Sequence, residues 1–357
     1  MSIVARCFSP IQFHLARLNL FLQLPLSFKN LMFFSTEAPP DKERVMDEDL
    51  KELFATIGNA PASNVIDNSA FIRKMCKAEN LSALSQMLQT LNDKNISLTP
   101  GVCNTILVRA SQKNDINLSC QVFKKLLSSS KSPSATSCLN FAQAFTKVND
   151  CEELLRFITE VSEINCSSTS LINRIIFAFA KSGQKDKALV VFDHLKRHNY
   201  SVDLITYNIV LDILGRIGHV DEMVDVFESM KDAGFDPDIV SYNTLINGLK
   251  KVGRFDMCNL YFKEMSENGI QPDLLTYTAL IESFGRSGNA EESLKCFREM
   301  KLKGVLPSIY IYRSLNDNLN KAGKVEFAAQ ILEEMNSSST CLAGPEDFKR
   351  KRRQKIT

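Results

Sequence analysis

Several absences narrow what this 357-residue chain can be. No apolar run reaches 18 residues uninterrupted, because Arg17, Asn19, Gln23 and Pro25 break the most apolar stretch, so a membrane span is not expected. The ten cysteines are scattered, with no CxxC pair and no cysteine and histidine cluster at zinc spacing. They read as reduced, packed thiols of a non-secreted protein. Histidine is scarce, at four residues. His194 and His198 have the four-residue spacing of a metal pair, but no third ligand stands near, and the surrounding DHLKRHNY reads as a solvated helix end. No HxE precedes a CxxC, which excludes the deaminase signature. Acids such as Glu222, Asp225, Glu228, Glu291 and Glu292 recur on second-helix faces instead of clustering as a nuclease metal site would require. No catalytic residue, cofactor, metal or small-molecule substrate is expected, and the chain reads as a non-enzyme.

Acids are also missing from both ends. Residues 1–36 contain Arg6, Arg17, Lys29 and four serines among large apolar residues, and the first acid is Glu37. That composition predicts a transit peptide, with cleavage near Phe34 or Ser35 and a mitochondrial destination ahead of the chloroplast. The last nine residues hold six basic side chains and no acid, predicting a basic tail over 344–357. With the nine basic residues of the two ends set aside, 34 remain against 41 acids, so bulk charge does not argue for nucleic acid. Residues 37–64 read as a linker with one capping helix from about Glu43 to Ile57.

What is present is a period. Pro237-Asp238 to Tyr242, Pro272-Asp273 to Tyr277, and Pro307-Ser308 to Tyr312 recur every 35 residues. A fixed period of this length marks a solenoid, whose stacked copies present one equivalent position per copy along a continuous surface. Counting from the prolines gives eight repeats over 65–343: 65–99, 100–134, 135–168, 169–203, 204–238, 239–273, 274–308 and 309–343. In the repeat from Leu204, Tyr207, Val210, Leu211 and Leu214 share one helical face, Gly218 closes the helix, and Val220, Met223, Val224, Phe227 and Met230 form the core face of a second. Gly234 and the proline three residues later end it. Phe123, Phe192, Phe262 and Phe297 repeat Phe227, and Met265, Met300 and Met335 repeat Met230, predicting a shared core strip.

Together the pattern resembles the pentatricopeptide repeat family, most fully in the repeat IVSYNTLINGLKKVGRFDMCNLYFKEMSENGIQPD at 239–273. The resemblance covers about 280 residues, strongly from 169 to 308, and weakens over 65–168, where Glu79, Asn114 and Asn149 replace the turn glycine. It implies an all-α, right-handed superhelical solenoid of about eight helix-turn-helix repeats, of the plant organellar P-class, that binds single-stranded RNA one base per repeat. The fifth and last residues of each repeat would then read the base, here Asn104/Ser134, Asn173/Asp203, Asn208/Asp238, Asn243/Asp273 and Thr278/Ser308. The second residue would wedge between bases, as Ile205, Val240 and Leu275. By the family's pairing, asparagine with aspartate resembles a uracil reader, asparagine with serine leans to cytosine and threonine to a purine. The implied site is C, any, U, U, U, purine. Ser69/Thr99, Leu139 and Arg313/Ala343 depart from the pattern and leave the full target open.

Each asparagine also has an ordinary explanation, as a residue that satisfies free amides at a helix N-terminus. A second row points to RNA without the resemblance. Position thirteen holds Lys77, Lys147, Lys181, Arg216, Lys251, Arg286 and Lys321, with Lys113 beside Gln112 in the remaining repeat. These cations suit helix C-termini, and in a stack they also form a track for phosphates. The predicted role is influence on transcript processing, stability or translation by occupying RNA, with possible protein partners. The rival is a protein scaffold, such as a ribosome or assembly component, since a solenoid surface also accepts peptides.

Overall fold

The computed structural model describes residues 81–93, 98–128, 132–164, 169–337, 342–344 and 347–348. The transit peptide, the helix expected near 43–57, Ser69, Lys77, Glu79 and the basic residues from Lys349 onward lie outside the described residues. Those described form fifteen α-helices and no strand, apart from one isolated bridge between Ser308 and Ala343. None of the helices is long and apolar enough to cross a membrane.

Contacts divide the chain into two segments, Met1–Thr105 and Ile106–Thr357. In the first, α1 (Leu81–Asp93) buries Leu84, Met87, Leu88 and Leu91 at helical spacing. Helix α2 (Pro100–Lys113) begins in this segment and buries Val102 and Cys103 there.

The second segment continues with α3 (Ile116–Leu127) and then runs as helix pairs: α4 (Ala135–Ala144) with α5 (Glu152–Ile164), α6 (Thr169–Lys181) with α7 (Lys185–Arg197), and α8 (Leu204–Ile217) with α9 (Val220–Asp232). The pairs α10 (Ile239–Lys251) and α11 (Phe255–Glu267), α12 (Leu274–Arg286) and α13 (Ala290–Leu302), and α14 (Ile309–Lys321) and α15 (Val325–Ser337) complete it. This is an all-α helical-repeat solenoid.

The pair α8 and α9 shows how sequence becomes structure. Asp203 sits in extended backbone before α8 and accepts from the Thr206 amide, while the Thr206 hydroxyl accepts from the Asp203 amide, so a capping box starts the helix. Gly218 ends it in the left-handed region at φ +81°, with its N–H donating to the Leu214 carbonyl. In the pair α2 and α3, where glycine is missing, Asn114 takes φ +55° in its place, and asparagine tolerates this because its short amide side chain bonds locally. Asn199 does the same at the end of α7, where the other repeats have Gly234, Gly269 and Gly304.

The core runs between neighbours. Tyr207, Tyr242, Tyr277 and Tyr312 are fully buried, and each ring meets a phenylalanine of the preceding repeat edge-on. The centroid distances are 5.5 Å to Phe192, 5.3 Å to Phe227, 5.9 Å to Phe262 and 5.2 Å to Phe297. Such pairs contribute about 0.5–1.5 kcal/mol beyond their burial. The expected stripe needs two corrections. Tyr261 is the buried aromatic of α11, leaving Phe262 half-buried, because one turn of that helix presents two adjacent aromatics and Tyr261 meets Phe227 at 5.4 Å. Met335 is only half-buried, since among the described residues no further helix pair follows α15 as one follows Met230, Met265 and Met300.

The tyrosine hydroxyls are also used. Tyr242, Tyr277 and Tyr312 donate to Glu264, Glu299 and Glu334 of their own second helices at 3.0, 3.2 and 2.7 Å. Lys231 and Lys301 of the preceding repeats donate to Glu264 and Glu334 at 3.1 and 2.6 Å. The acids of the second helices are thus more than a solvated face. Glu228 accepts from Tyr261, and Glu291 pairs with Lys324 of the next repeat. Burial pushes the Tyr242 hydroxyl up to about 12 and raises the thiols of Cys120, Cys138 and Cys296 to about 12, 11 and 12, so none of those thiols is a thiolate at neutral pH.

Candidate nucleic-acid interface

In five of the repeats the last residue is the N-cap of the next first helix. Ser134, Asp203, Asp238, Asp273 and Ser308 all hold this place, each accepting from a backbone amide of the first turn. Capping therefore belongs to the last-position residue and not to the asparagines, which lie one turn inside their helices.

The asparagines are tied to those caps across the seam between repeats. Asn173 Nδ2 donates to Asp203 Oδ1 at 2.9 Å, while its Oδ1 accepts from the Thr206 hydroxyl at 2.7 Å. Asn208 repeats the pattern with Asp238 at 3.3 Å and Ser241 at 2.7 Å, and Asn243 with Asp273 at 3.0 Å and Thr276 at 2.6 Å. Period-related residues thus form the same three-member network three times. An asparagine side chain has two N–H donors and two acceptor lone pairs, so each retains one of each after these bonds. The aspartate Oδ2 makes none of these bonds.

Burial differs along the row. Asn173 and Asn243 are only 5% and 4% exposed, and Asn208, Asn104 and Thr278 are half-buried. Thr278 donates its hydroxyl to the Leu274 carbonyl at 2.6 Å. Ser134 is exposed, whereas Ser308 is 3% exposed and pairs with Ala343. Among the second-position residues, Ile205 stands 60% exposed, and Val240 and Leu275 are half-buried.

All six described cations of position thirteen are exposed: Lys147, Lys181, Arg216, Lys251, Arg286 and Lys321. Two are partly committed. Arg216 pairs with Asp212 at 2.9 Å, and Arg286 donates to the Lys250 carbonyl at 3.1 Å while lying over the Phe255 ring. The four lysines form no ion pair among the described residues.

The sixth repeat, with the second residue of the seventh, brings the three predicted classes together. Asn243, Leu275 and Lys251 line one cavity of about 120 Å³ beside Thr244 and Asn247. It is floored by Gly215 and Gly248, where the first helices α8 and α10 approach closely. Asp212 also lines it, with its charge answered by Arg216.

Tyr310 is the residue that the sequence reading passed over. It occupies the second position of the eighth repeat, is 56% exposed, and donates its hydroxyl to Glu282, which also pairs with Lys250. Its place in the period was the available signal. His194 is held by Thr159 at 2.9 Å, His198 bonds back to the His194 carbonyl, and no metal-binding group occurs among the described residues.

Comparison with known proteins agrees with the repeat architecture. The PPR repeat family matches residues 202–251 and 237–286, and the PPR repeat matches residues 172–200 and 275–305. A 152-residue stretch is 44% identical to the Arabidopsis thaliana pentatricopeptide repeat-containing protein At1g11900, covering 40% of this chain and 41% of that protein. The crystal structure of the pentatricopeptide repeat protein PPR10 from maize aligns at TM-score 0.51 and 18% identity, over 85% of this chain and 43% of that one. The chain therefore spans about two fifths of each relative, and the likeness to the maize structure is one of fold.

Proposed function

Because the chain belongs to the pentatricopeptide repeat family, we propose that it binds single-stranded RNA, one nucleotide per repeat, and acts by occupying its transcript. The observation that carries this reading is the cavity of about 120 Å³ in the sixth repeat, where a fixed amide, an apolar wedge and a free cation converge. A base needs hydrogen-bonding groups at its edge, a flat apolar contact at its face and a cation near its phosphate, and these three side chains supply them.

The chemistry of the pairs supports a U-rich site. Uracil presents an N–H at N3 between two carbonyls, and the aspartate Oδ2 is an acceptor suited to that N–H. Cytosine presents a bare N3, which a carboxylate repels and a serine hydroxyl can donate to. Three successive asparagine and aspartate pairs thus favour U-U-U, within C, any, U, U, U, purine.

Stacking contributes roughly 1–3 kcal/mol per base, so five legible repeats supply about 5–15 kcal/mol before the cost of ordering the strand. Sufficient affinity in the cell then draws on protein partners. The acid-free leader supports action in an organelle, the mitochondrion ahead of the chloroplast. Influence on processing, stability or translation follows from blocking or exposing the bound RNA.

Fluorescence anisotropy with labelled CAUUUA and CACCCA tests the reading. The U-containing strand should bind about tenfold tighter or better. Equal affinity for the two strands contradicts the uracil assignment, and preference for peptides over both contradicts RNA binding itself.

A further inference from the structure

Behind each of three reading asparagines stands a hydroxyl too deep for a base to touch. Thr206, Ser241 and Thr276, the third residues of their repeats, are 1%, 0% and 0% exposed, and each donates to the Oδ1 of the asparagine 33 positions earlier. We infer that these hydroxyls are positioning residues that determine specificity: each fixes the direction in which the asparagine amide lies across its seam, so that the asparagine and aspartate pair selects uracil over cytosine. The inference rests on the proposal that these pairs read bases.

The geometry leaves the amide one orientation. An ionised carboxylate only accepts, so the aspartate Oδ1, at 2.9, 3.3 and 3.0 Å, requires the Nδ2 end of Asn173, Asn208 and Asn243. The hydroxyl holds the opposite end. Its oxygen accepts from the backbone amide of the aspartate, at 3.1 Å for Thr206, 3.2 Å for Ser241 and 3.1 Å for Thr276, which directs its proton toward the asparagine Oδ1 and the neighbouring aspartate Oδ1. A half-turn of the amide would set Oδ1 against the carboxylate and the amide protons against the hydroxyl proton, so both contacts oppose it. The remaining N–H and lone pair of the asparagine therefore keep a fixed order along the seam. That order decides the base. Uracil has an acceptor at O4 and a donor at N3, whereas cytosine has a donor at N4 and an acceptor at N3, so an amide free to turn serves either.

The repeats of the chain divide in the same way. Asn104, Asn173, Asn208 and Asn243 are followed, at the third position of the next repeat, by Ser137, Thr206, Ser241 and Thr276. The fifth-position residues Ser69, Leu139 and Thr278 are followed there by Val102, Leu171 and Ile311. Helix capping alone does not account for the division, because Ser134 and Ser308 both cap their helices although one has Ser137 and the other Ile311 at that place. With Ile311 opposite it, Thr278 turns its hydroxyl back to the Leu274 carbonyl of its own helix.

The test uses the full chain and fluorescence anisotropy with labelled CAUUUA, CACUUA, CAUCUA and CAUUCA, which replace the uracils assigned to Asn173, Asn208 and Asn243 one at a time. Wild type should favour CAUUUA over each of the others by about twofold or more, the share of one position in a tenfold total. In Ser241→Ala, α10 keeps its cap, because Asp238 still accepts from the backbone amides of residues 240 and 241. This variant should bind CAUUUA and CAUCUA equally and keep the other two preferences. Thr276→Val should lose the preference over CAUUCA alone, and Ser241→Thr, which supplies the hydroxyl found at Thr206 and Thr276, should keep all three. A hydroxyl with a merely structural role would weaken the four strands alike and leave their ratios unchanged. That result, or preferences that fall together at all three seams, overturns the inference while leaving uracil reading intact. Absence of any preference in the wild type overturns the uracil reading itself.

Discussion

At the residue scale, one carboxylate oxygen carries two duties. Asp203, Asp238 and Asp273 each cap a helix and hold the preceding asparagine with the same Oδ1. Replacing Asp238 with alanine frees the Val240 and Ser241 amides and releases Asn208, so Asp238→Ala should lower unfolding stability by about 1–2 kcal/mol in urea titration. Asp238→Ser should cost only a few tenths, because serine caps as well as aspartate and occupies the same place before α14 as Ser308. The asparagine row was legible from its register alone. Its side-chain partners were not, because Thr206, Ser241 and Thr276 read as unremarkable helix residues until the stack brings each beside an asparagine 33 positions earlier.

At the element scale, left-handed residues close most of the helix pairs, and glycines let the first helices α8 and α10 approach closely. Gly218→Ala puts a Cβ at φ +81° and should cost about 1 kcal/mol. Gly248→Ala acts differently: its new Cβ would fall 2.6 Å from Met223 Sδ, so the loss depends on how far that flexible side chain can move, and Gly248→Ala with Met223→Ala should recover part of it. The tyrosine contacts add a pH dependence. Burial raises the hydroxyls of Tyr207, Tyr242 and Tyr277 above their unfolded value, so the unfolded chain releases those protons first and stability falls as pH rises. Thermal melting should show this from about pH 10 to 12 for Tyr242, whose hydroxyl titrates at about 12, and Tyr242→Phe should shallow that fall. The sequence showed these tyrosines as a period and as core. It did not reveal the glutamates behind them or Tyr261's displacement of Phe262, since both depend on how second helices rotate within the stack.

At the scale of the whole molecule, the question is whether the recurring side chains act as a row. If all six described cations of position thirteen met phosphates, log affinity would fall with log salt at about −4, from ~0.7 per contact. Arg216 and Arg286 are already engaged by Asp212 and by the Lys250 carbonyl, leaving four unpaired lysines. The predicted slope is therefore about −3, measurable by anisotropy across a salt series, and Lys251→Gln should reduce it by about 0.7. A slope near zero would mean that the cations serve only their helix termini.

The central claim is that the amide and carboxylate pairs at successive seams read successive bases, and a change of specificity tests it more directly than a loss of binding. Asp238→Ser keeps the helix cap and changes only the group offered beside Asn208. Anisotropy titrations should then show wild type preferring CAUUUA to CAUCUA and Asp238→Ser reversing that order. An unchanged preference for the uracil strand in the variant would contradict the account.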